Sequence, residues 1–402
     1  MKISFLIPSK NRLDLLKRAV TSILDQAKGA IEIVVSDNAS ADDYKSYVRS
    51  LNDDRIIYYR QPTPVSVTEN WRSALSRATG DYILMLGDDD ALAPGFFSAV
   101  GQYLTNNGPD VIYLAAYHYC YPNVLAENPA GYLASVLNSE FFAGKQTPFK
   151  LDRSYARDLA QSVLTFHYRF GLNAQHFLLR SPFVERFSAK GGIYQSPYPD
   201  TFSAVAAFSH ADSILVLPKE LVIIGISSKS FGAFYFSNRH DEGYRFLDNE
   251  HIDPAVRESL RDVILPGDRN NTNWLVAAES ARRVFPSVTA PDHNFARYRT
   301  LQMVDALRRK YFNGHQDVCD DLRTKLSESE LLLFDSLDIA LQSALKADKN
   351  TLAQAFESIA GRLRQYEPAK ISMMDIGPHR DILDAYRWLA GRDNYQAKRT
   401  AR

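Results

Sequence analysis

The chain has 402 residues, more than one ordinary hydrophobic core serves, so two domains, or one large domain with an appendage, are expected. Hydrophobic residues make up 45% and charged residues 23%, which excludes a disordered chain. Basic and acidic side chains number 47 each, so the formal net charge is zero and no global basic field exists to draw in nucleic acid.

Residues 3–7 read as a buried strand, and residues 12–26 as a helix with Leu13, Leu16, Val20, Ile23 and Leu24 at helical spacing. Residues 31–35 are a second strand, rich in β-branched side chains; a polar turn over 36–40 leads into a weak helix near 42–51. Residues 55–59 form a third strand, 67–77 a helix, 81–86 a fourth strand and 110–114 a fifth, with a further helix starting near Pro94. Residues 115–230 are mixed: a helix over 153–166, a strand over 177–180, a helix over 200–210, and two short strands within 214–224 broken near Pro218. From about residue 250 strands fade, and residues 279–284, 295–312 and 331–345 show helical spacing. A boundary is placed near 235–250, where the chain turns polar.

Repeated strand–helix units with short connections predict an α/β fold with a mostly parallel central sheet, followed by an all-helical C-terminal region. Ligands of such sheets bind at the carboxyl ends of the strands. Residues 8–12, 36–40 and 87–90 each follow a strand directly, so all three polar clusters are predicted to converge on one rim.

The apolar run at the N-terminus is too short for a signal-peptide core and is cut by Pro8, Lys10 and Asn11. No stretch reaches the roughly 18 apolar residues that span a bilayer. A cytoplasmic protein is expected, either soluble or attached at most to the inner membrane surface. Cys120 and Cys319 lie far apart without metal-ligand spacing, which suits a reduced pair.

Asp88-Asp89-Asp90 carries the strongest local signal. Adjacent carboxylates raise one another's proton affinity, and a cation relieves the repulsion. Mn²⁺ and Mg²⁺ take oxygen ligands and bridge one or two carboxylates to substrate phosphates. Taken alone, the triplet reads as a solvated acidic turn; its delivery by an apolar strand and Gly87 favours the cation site. Asp37, after the second strand, suits either a base or ribose contact or a turn-forming cap. Pro8-Ser9-Lys10-Asn11-Arg12 gathers a hydroxyl, an amide and two cations at a helix start, which suits phosphate as well as a capped helix.

With these residues in view, the first 100 residues resemble the nucleotide-binding half of the family 2 glycosyltransferases, which have the A-type fold. The family's Pro-Thr/Ser-x-Asn-Arg turn matches Pro8 to Arg12, and its Asp-x-x-Ser turn matches Asp37 to Ser40. Its Asn-led helix before a Gly-Asp-Tyr matches Asn70 to Tyr82, and its acidic motif matches Gly87 to Asp90, with Pro94 following. Gly87 stands where the commonest pattern, Asp-x-Asp-Asp, has its first Asp.

The resemblance implies an inverting, metal-assisted transfer of a sugar from a nucleotide-diphosphate sugar, UDP-linked, to a glycan or lipid-linked acceptor in bacterial-type surface polysaccharide assembly. Pro8, Ser9, Arg12 and Asp37 would hold the nucleoside, with Asn11, Asn70, Arg77 and Asp88 on the same donor side. Asp89 would be the principal ligand of Mn²⁺ or Mg²⁺, with Asp88 and Asp90 beside it. Asp200, in Tyr198-Pro199-Asp200, would be the general base, with a helix cap as its alternative. Residues 1–240 would form the catalytic domain, with a donor half over 1–115 and an acceptor half over 116–240, and residues 250–402 a helical domain.

His176 suits the acceptor side or a structural place. The family's later His is absent from residues 225–230, where Lys229 stands, leaving Lys229 or His240 to contact phosphate. The basic stretch with Arg297, Arg299, Arg308, Arg309 and Lys310 reads as a packed helix with a solvated face or as a lipid-facing one. Acceptor binding, homo-oligomerisation and membrane docking all fit the C-terminal helices.

Other readings stay open. A nucleotidyltransferase uses a similar sheet, but its Gly-rich loop after the first strand is missing from residues 8–12. A receiver-type regulatory domain needs an acidic pair where Pro8-Ser9 stands. A catalytically inactive sugar-nucleotide-binding scaffold also fits.

Overall fold

The computed structural model describes residues 1–27, 29–125, 128–138, 141–142, 144–195, 197–236, 252–267, 269–286, 295–364 and 370–400. The chain divides into two compact units. The first comprises Met1–Arg157, Phe170–His251 and Pro368–Arg402; the second comprises Asp158–Arg169 and Ile252–Glu367. The boundary expected near 235–250 lies outside the described residues from 237 onward, as does His240.

In the first unit, β1 (Ile3–Ser9), β2 (Ile31–Asp37), β3 (Ile56–Arg60) and β4 (Tyr82–Met85) alternate with α1 (Leu13–Leu24), α2 (Tyr44–Leu51) and α3 (Val67–Leu75). Phe5, Ile7, Ile33, Val35 and Leu84 are fully buried. α1 covers them with Leu16, Ala19, Val20 and Ile23. This burial, at roughly 1.5–3 kcal/mol per large apolar side chain, holds helix to sheet. Local caps set the helix starts: Asp43 accepts from the Ser46 amide at 3.0 Å, and Ser66 from the Glu69 amide at 3.1 Å. Asn52, at φ 46°, closes α2 in the left-handed conformation that asparagine tolerates.

The strands β5 (Ala91–Leu92), β6 (Val111–Cys120), β7 (Tyr132–Asn138), β8 (Phe149–Lys150), β9 (Phe177–Arg180), β10 (Ile214–Ile226) and β11 (Lys370–Met374) complete an 11-stranded sheet among the described residues. Its main path runs β11-β7-β6-β9-β4-β1-β2-β3. It is parallel from β3 to β4 and antiparallel from β4 through β9, β6 and β7 to β11. β10 runs parallel to β6. The helices α4 (Phe96–Val100), α5 (Arg153–Leu164), α6 (Ser181–Glu185), α7 (Pro199–His210) and α8 (Phe231–Phe236) follow in chain order.

Two details differ from the sequence expectation. Residues 214–226 form one strand instead of two: Pro218 lacks an amide donor, and β10 absorbs it with register shifts between Leu217, Glu220 and Val222. The C-terminal region is helical apart from β11, which pairs with β7, and the helix Ile382–Thr400 packs Ile382 and Ala385 with Tyr119 and Leu15 of the first unit.

The second unit is built from Pro254–Ser259, Arg269–Val284, Phe295–Asn313, Gln316–Arg323, Glu328–Ala347 and Lys349–Arg364. Met303, Leu307, Leu322, Phe334, Leu341 and Phe356 pack in its core. The basic helix is tied down by ion pairs: Arg299 to Glu330 at 2.5 Å, Arg309 to Asp305 at 2.8 Å and Lys310 to Asp338 at 2.8 Å. Cys120 and Cys319 are both free and buried. No helix among the described residues is long and apolar enough to cross a membrane.

Candidate active site

A cavity of about 640 Å³ lies where β1 and β4 end. The three polar clusters meet beside it. Asn38 N donates to the Ser9 carbonyl at 2.8 Å, and Ala41 N to Asn11 Oδ1 at 2.8 Å. Ser9 Oγ donates to Asp88 Oδ2 at 2.5 Å. Residues on separate strand ends are thereby locked into one surface. Asn11 and Ala39 hold the turns at φ 54° and 52°, the left-handed region that costs alanine roughly 1–2 kcal/mol.

Asp88 is 3% exposed and forms an ion pair with Arg12 at 3.0 Å. Burial pushes its carboxyl up, while Arg12 and Ser9 oppose that shift. Burial also disfavours the Arg12 cation, but Asp88 and Asp89 outweigh it and the guanidinium's pKa rises. Arg12 stays charged at the cavity wall, where an anion can meet it. The fully buried Tyr44 supports this corner, its hydroxyl 2.7 Å from Ser9 Oγ and accepting the Arg12 amide at 2.9 Å.

Asp89 lines the cavity, and its Oδ2 accepts from Ser227 Oγ at 2.8 Å and from Ser230 Oγ. Its Oδ1 has no hydrogen-bond donor among the described residues. Asp90 is placed differently. Its oxygens accept Gly225 N at 2.8 Å, Gly87 N at 2.8 Å and Gln175 Nε2 at 2.5 Å, and it does not line the cavity. Burial and then the neighbouring Asp89 raise its pKa well above the usual carboxylate range.

The fit to a divalent cation can be judged from these donors. Among the described residues, no group of three or more His, Cys, Asp or Glu side chains is arranged to hold a metal. Asp89 alone in the triplet combines a cavity position with an oxygen lacking a protein donor, while Asp88 is occupied by Ser9 and Arg12. One carboxylate suits Mg²⁺ or Mn²⁺ when substrate phosphates and water complete the shell.

Asp200 also lines the cavity. It sits in the first turn of α7, whose N-cap position belongs to Tyr198, and it accepts the Ala174 amide at 2.7 Å. Burial pushes its carboxyl up to about 6, near the range of a working general base.

Pro8, Ser9, Asn11, Arg12, Asn70, Asp88, Asp89 and Asp200 thus surround one cavity. Asp37, Arg77 and Asp90 do not line it. Asp37 is fully buried, accepting from Ser40 N at 2.8 Å, Tyr58 Oη at 2.8 Å and Arg60 Nη1 at 2.9 Å. Arg77 lies over the Tyr59 ring at 3.4 Å and donates to Ser73. Asn70 reaches the wall with its amide already exchanging bonds with Ser36. His176 is 2% exposed, stacked on Tyr113, with Nδ1 2.8 Å from the Leu114 carbonyl and its pKa lowered to about 4 by burial.

Sequence reasoning passed over Gln175, Ser227, Ser230 and the aromatic wall of Trp71, Tyr198, Phe231 and Phe234. The aromatic run over residues 231–236 was a usable signal. The two serines gave none, because only folding brings β10 to the acidic turn. Lys229 lines the cavity and donates to the Asn11 carbonyl at 2.8 Å.

Residues 4–168 match the family described as Glycosyl transferase family 2. The GalNAc(5)-diNAcBac-PP-undecaprenol beta-1,3-glucosyltransferase of Campylobacter jejuni is 39% identical over 104 residues, 25% of this chain and 34% of that protein. Abequosyltransferase RfbV of Salmonella typhimurium is 38% identical over 109 residues, 26% of this chain and 33% of that protein. The chain therefore spans about a third of the length of these curated relatives. The crystal structure of S. aureus TarS 1-349 in complex with UDP-GlcNAc is 14% identical, covering 81% of this chain and 90% of that one, with a loose TM-score of 0.45.

Proposed function

We propose that this chain, whose residues 4–168 match the family described as Glycosyl transferase family 2, moves a sugar, with inversion, from a nucleotide-diphosphate sugar to a glycan or lipid-linked acceptor. The donor is UDP-linked in this reading, and the enzyme works in the cytoplasm, on surface-polysaccharide intermediates. The observation that carries the reading is the single cavity shared by Arg12, Asp88, Asp89 and Asp200.

Each residue then has a task. Arg12, held by Asp88, presents positive charge to the diphosphate. Asp89, steadied by Ser227 and Ser230, would hold Mn²⁺ or Mg²⁺. When bound, that cation supplies charge stabilisation to the departing diphosphate. Asp200 takes the proton from the acceptor hydroxyl as that oxygen attacks the anomeric carbon. Ala174 N fixes the orientation of the base. Trp71 and Tyr198 offer apolar ring surface, of the kind sugars pack against.

The direct test is product analysis with purified protein, a panel of nucleotide sugars and Mn²⁺. Release of a nucleoside diphosphate that Asp89→Ala abolishes, without loss of folding, is expected. Release of pyrophosphate would assign nucleotidyl transfer instead. Full turnover in EDTA would remove the cation from the mechanism.

A further inference from the structure

Residues Ala174 to His176 form one 3-10 turn ahead of β9. Its three residues are each tied to a different part of the first unit. Ala174 N donates to Asp200, Gln175 Nε2 to Asp90 at 2.5 Å, and His176 Nδ1 to the Leu114 carbonyl. The turn therefore links the proposed base to the acidic loop.

The direction of the Gln175 amide follows from its partner. Asp90 accepts the Gly87 and Gly225 amides on its two oxygens, and Gln175 Nε2 donates to the same Oδ2 as Gly87. That bond takes the donor end of the amide and leaves Oε1 as its other end. Gln175 lines the cavity and is 8% exposed, and its buried Oε1 has no hydrogen-bond partner among the described residues. Buried carbonyl oxygens are rarely left unpaired, because the lost hydration is not replaced.

A carbonyl oxygen only accepts, so the complementary ligand group must carry a proton. Phosphate does not qualify, and the cation Arg12 already offers it a partner. Hydroxyls qualify. We propose that Gln175 Oε1 accepts a hydrogen bond from a hydroxyl of the transferred sugar, so that Gln175 selects the sugar and not the nucleotide. This rests on reading the chain as a nucleotide-sugar-dependent transferase. A neutral acceptor held rigidly by Asp90 discriminates well, because a sugar lacking the hydroxyl leaves Oε1 buried and unpaired.

The test is calorimetric titration of the full chain with Mn²⁺ present. The panel is UDP-glucose, UDP-N-acetylglucosamine, UDP-galactose, GDP-mannose and the free diphosphates UDP and GDP. The tightest nucleotide sugar is then compared with its monodeoxy analogues. One deoxy analogue is expected to bind the wild type roughly tenfold more weakly, the worth of one net hydrogen bond. Gln175→Met should lose about the same factor for the parent nucleotide sugar, keep its affinity for the free diphosphate, and no longer penalise that analogue.

Deoxy analogues that all bind the wild type like the parent sugar would overturn the assignment, even if Gln175→Met did not fold. Equal losses for diphosphate and nucleotide sugar would overturn it too, by placing Oε1 on the nucleotide or making Gln175 a structural prop. A loss restored by excess Mn²⁺ would assign Oε1 to the cation's water shell. If neither the diphosphates nor the nucleotide sugars bind the wild type, the transferase reading itself fails, and this one with it.

Discussion

The Asp90 carboxylate accepts the Gly87 amide at 2.8 Å, which ties the third acid of the triplet back onto its own turn. The contact gives a physical reason for glycine at position 87. A Cβ there would lie 2.5 Å from Asp90 Oδ2, and that oxygen is also held by Gln175. Gly87→Ala is therefore expected to lower the unfolding free energy by about 1–3 kcal/mol in urea titration. An unchanged midpoint would mean that the carboxylate moves aside freely.

Asp200 has a carboxyl pushed up to about 6 by burial. As a general base it must be ionised, so kcat/KM should fall with an acid limb near pH 6. The linkage has the opposite sign for stability. The folded pKa lies above the unfolded one, so the stabilisation present at low pH is lost as pH rises through about 6. Asp200→Asn should then be more stable than the wild type at pH 8, by on the order of 2 kcal/mol, with the gap closing toward pH 4. Thermal melts across pH test this. A gap that stays constant with pH would remove the shifted carboxyl from the account.

Ser227 and Ser230 both donate to Asp89 Oδ2. Removing both hydroxyls leaves the proposed cation ligand less firmly oriented. In Ser227→Ala/Ser230→Ala, the Mn²⁺ concentration for half-maximal turnover is expected to rise about 10- to 100-fold, as for other outer-shell losses. Donor KM at saturating Mn²⁺ should change little. A rise in donor KM alone would place the serines on the nucleotide side.

Arg12 and Asp88 form a pair with side chains 12% and 3% exposed. Arg12→Ala strands a buried carboxylate and should cost about 3 kcal/mol of stability, besides weakening diphosphate binding. Arg12→Ala/Asp88→Ala should cost clearly less than the sum of the single changes. Additive losses in denaturant titration would mean that the pair is not energetically coupled.

Local chemistry made much of the donor half legible. The runs at residues 3–7, 31–35 and 82–86 are mostly apolar because both faces of a central strand are buried, and the turns after them are polar because they end at a rim. Pro218 shows where local reading misleads. It reads as a strand break, but a neighbour with enough register freedom, β6, accommodates it as a bulge.

The sequence by itself determined the alternation of strands and helices, the polar turns at their ends and the acidic triplet, because each depends on residues within one turn or one strand. Which carboxylates face the cavity was decided only by the tertiary structure. Asp37 and Asp90 have the same chemistry as Asp89, yet the first is saturated by Ser40, Tyr58 and Arg60 and the second by Gly87, Gly225 and Gln175. Those partners come from up to 135 residues away, in the case of Gly225 and Asp90. A carboxylate can serve a ligand only with an oxygen its own fold has not already occupied, and that occupancy exists only once distant strands have paired.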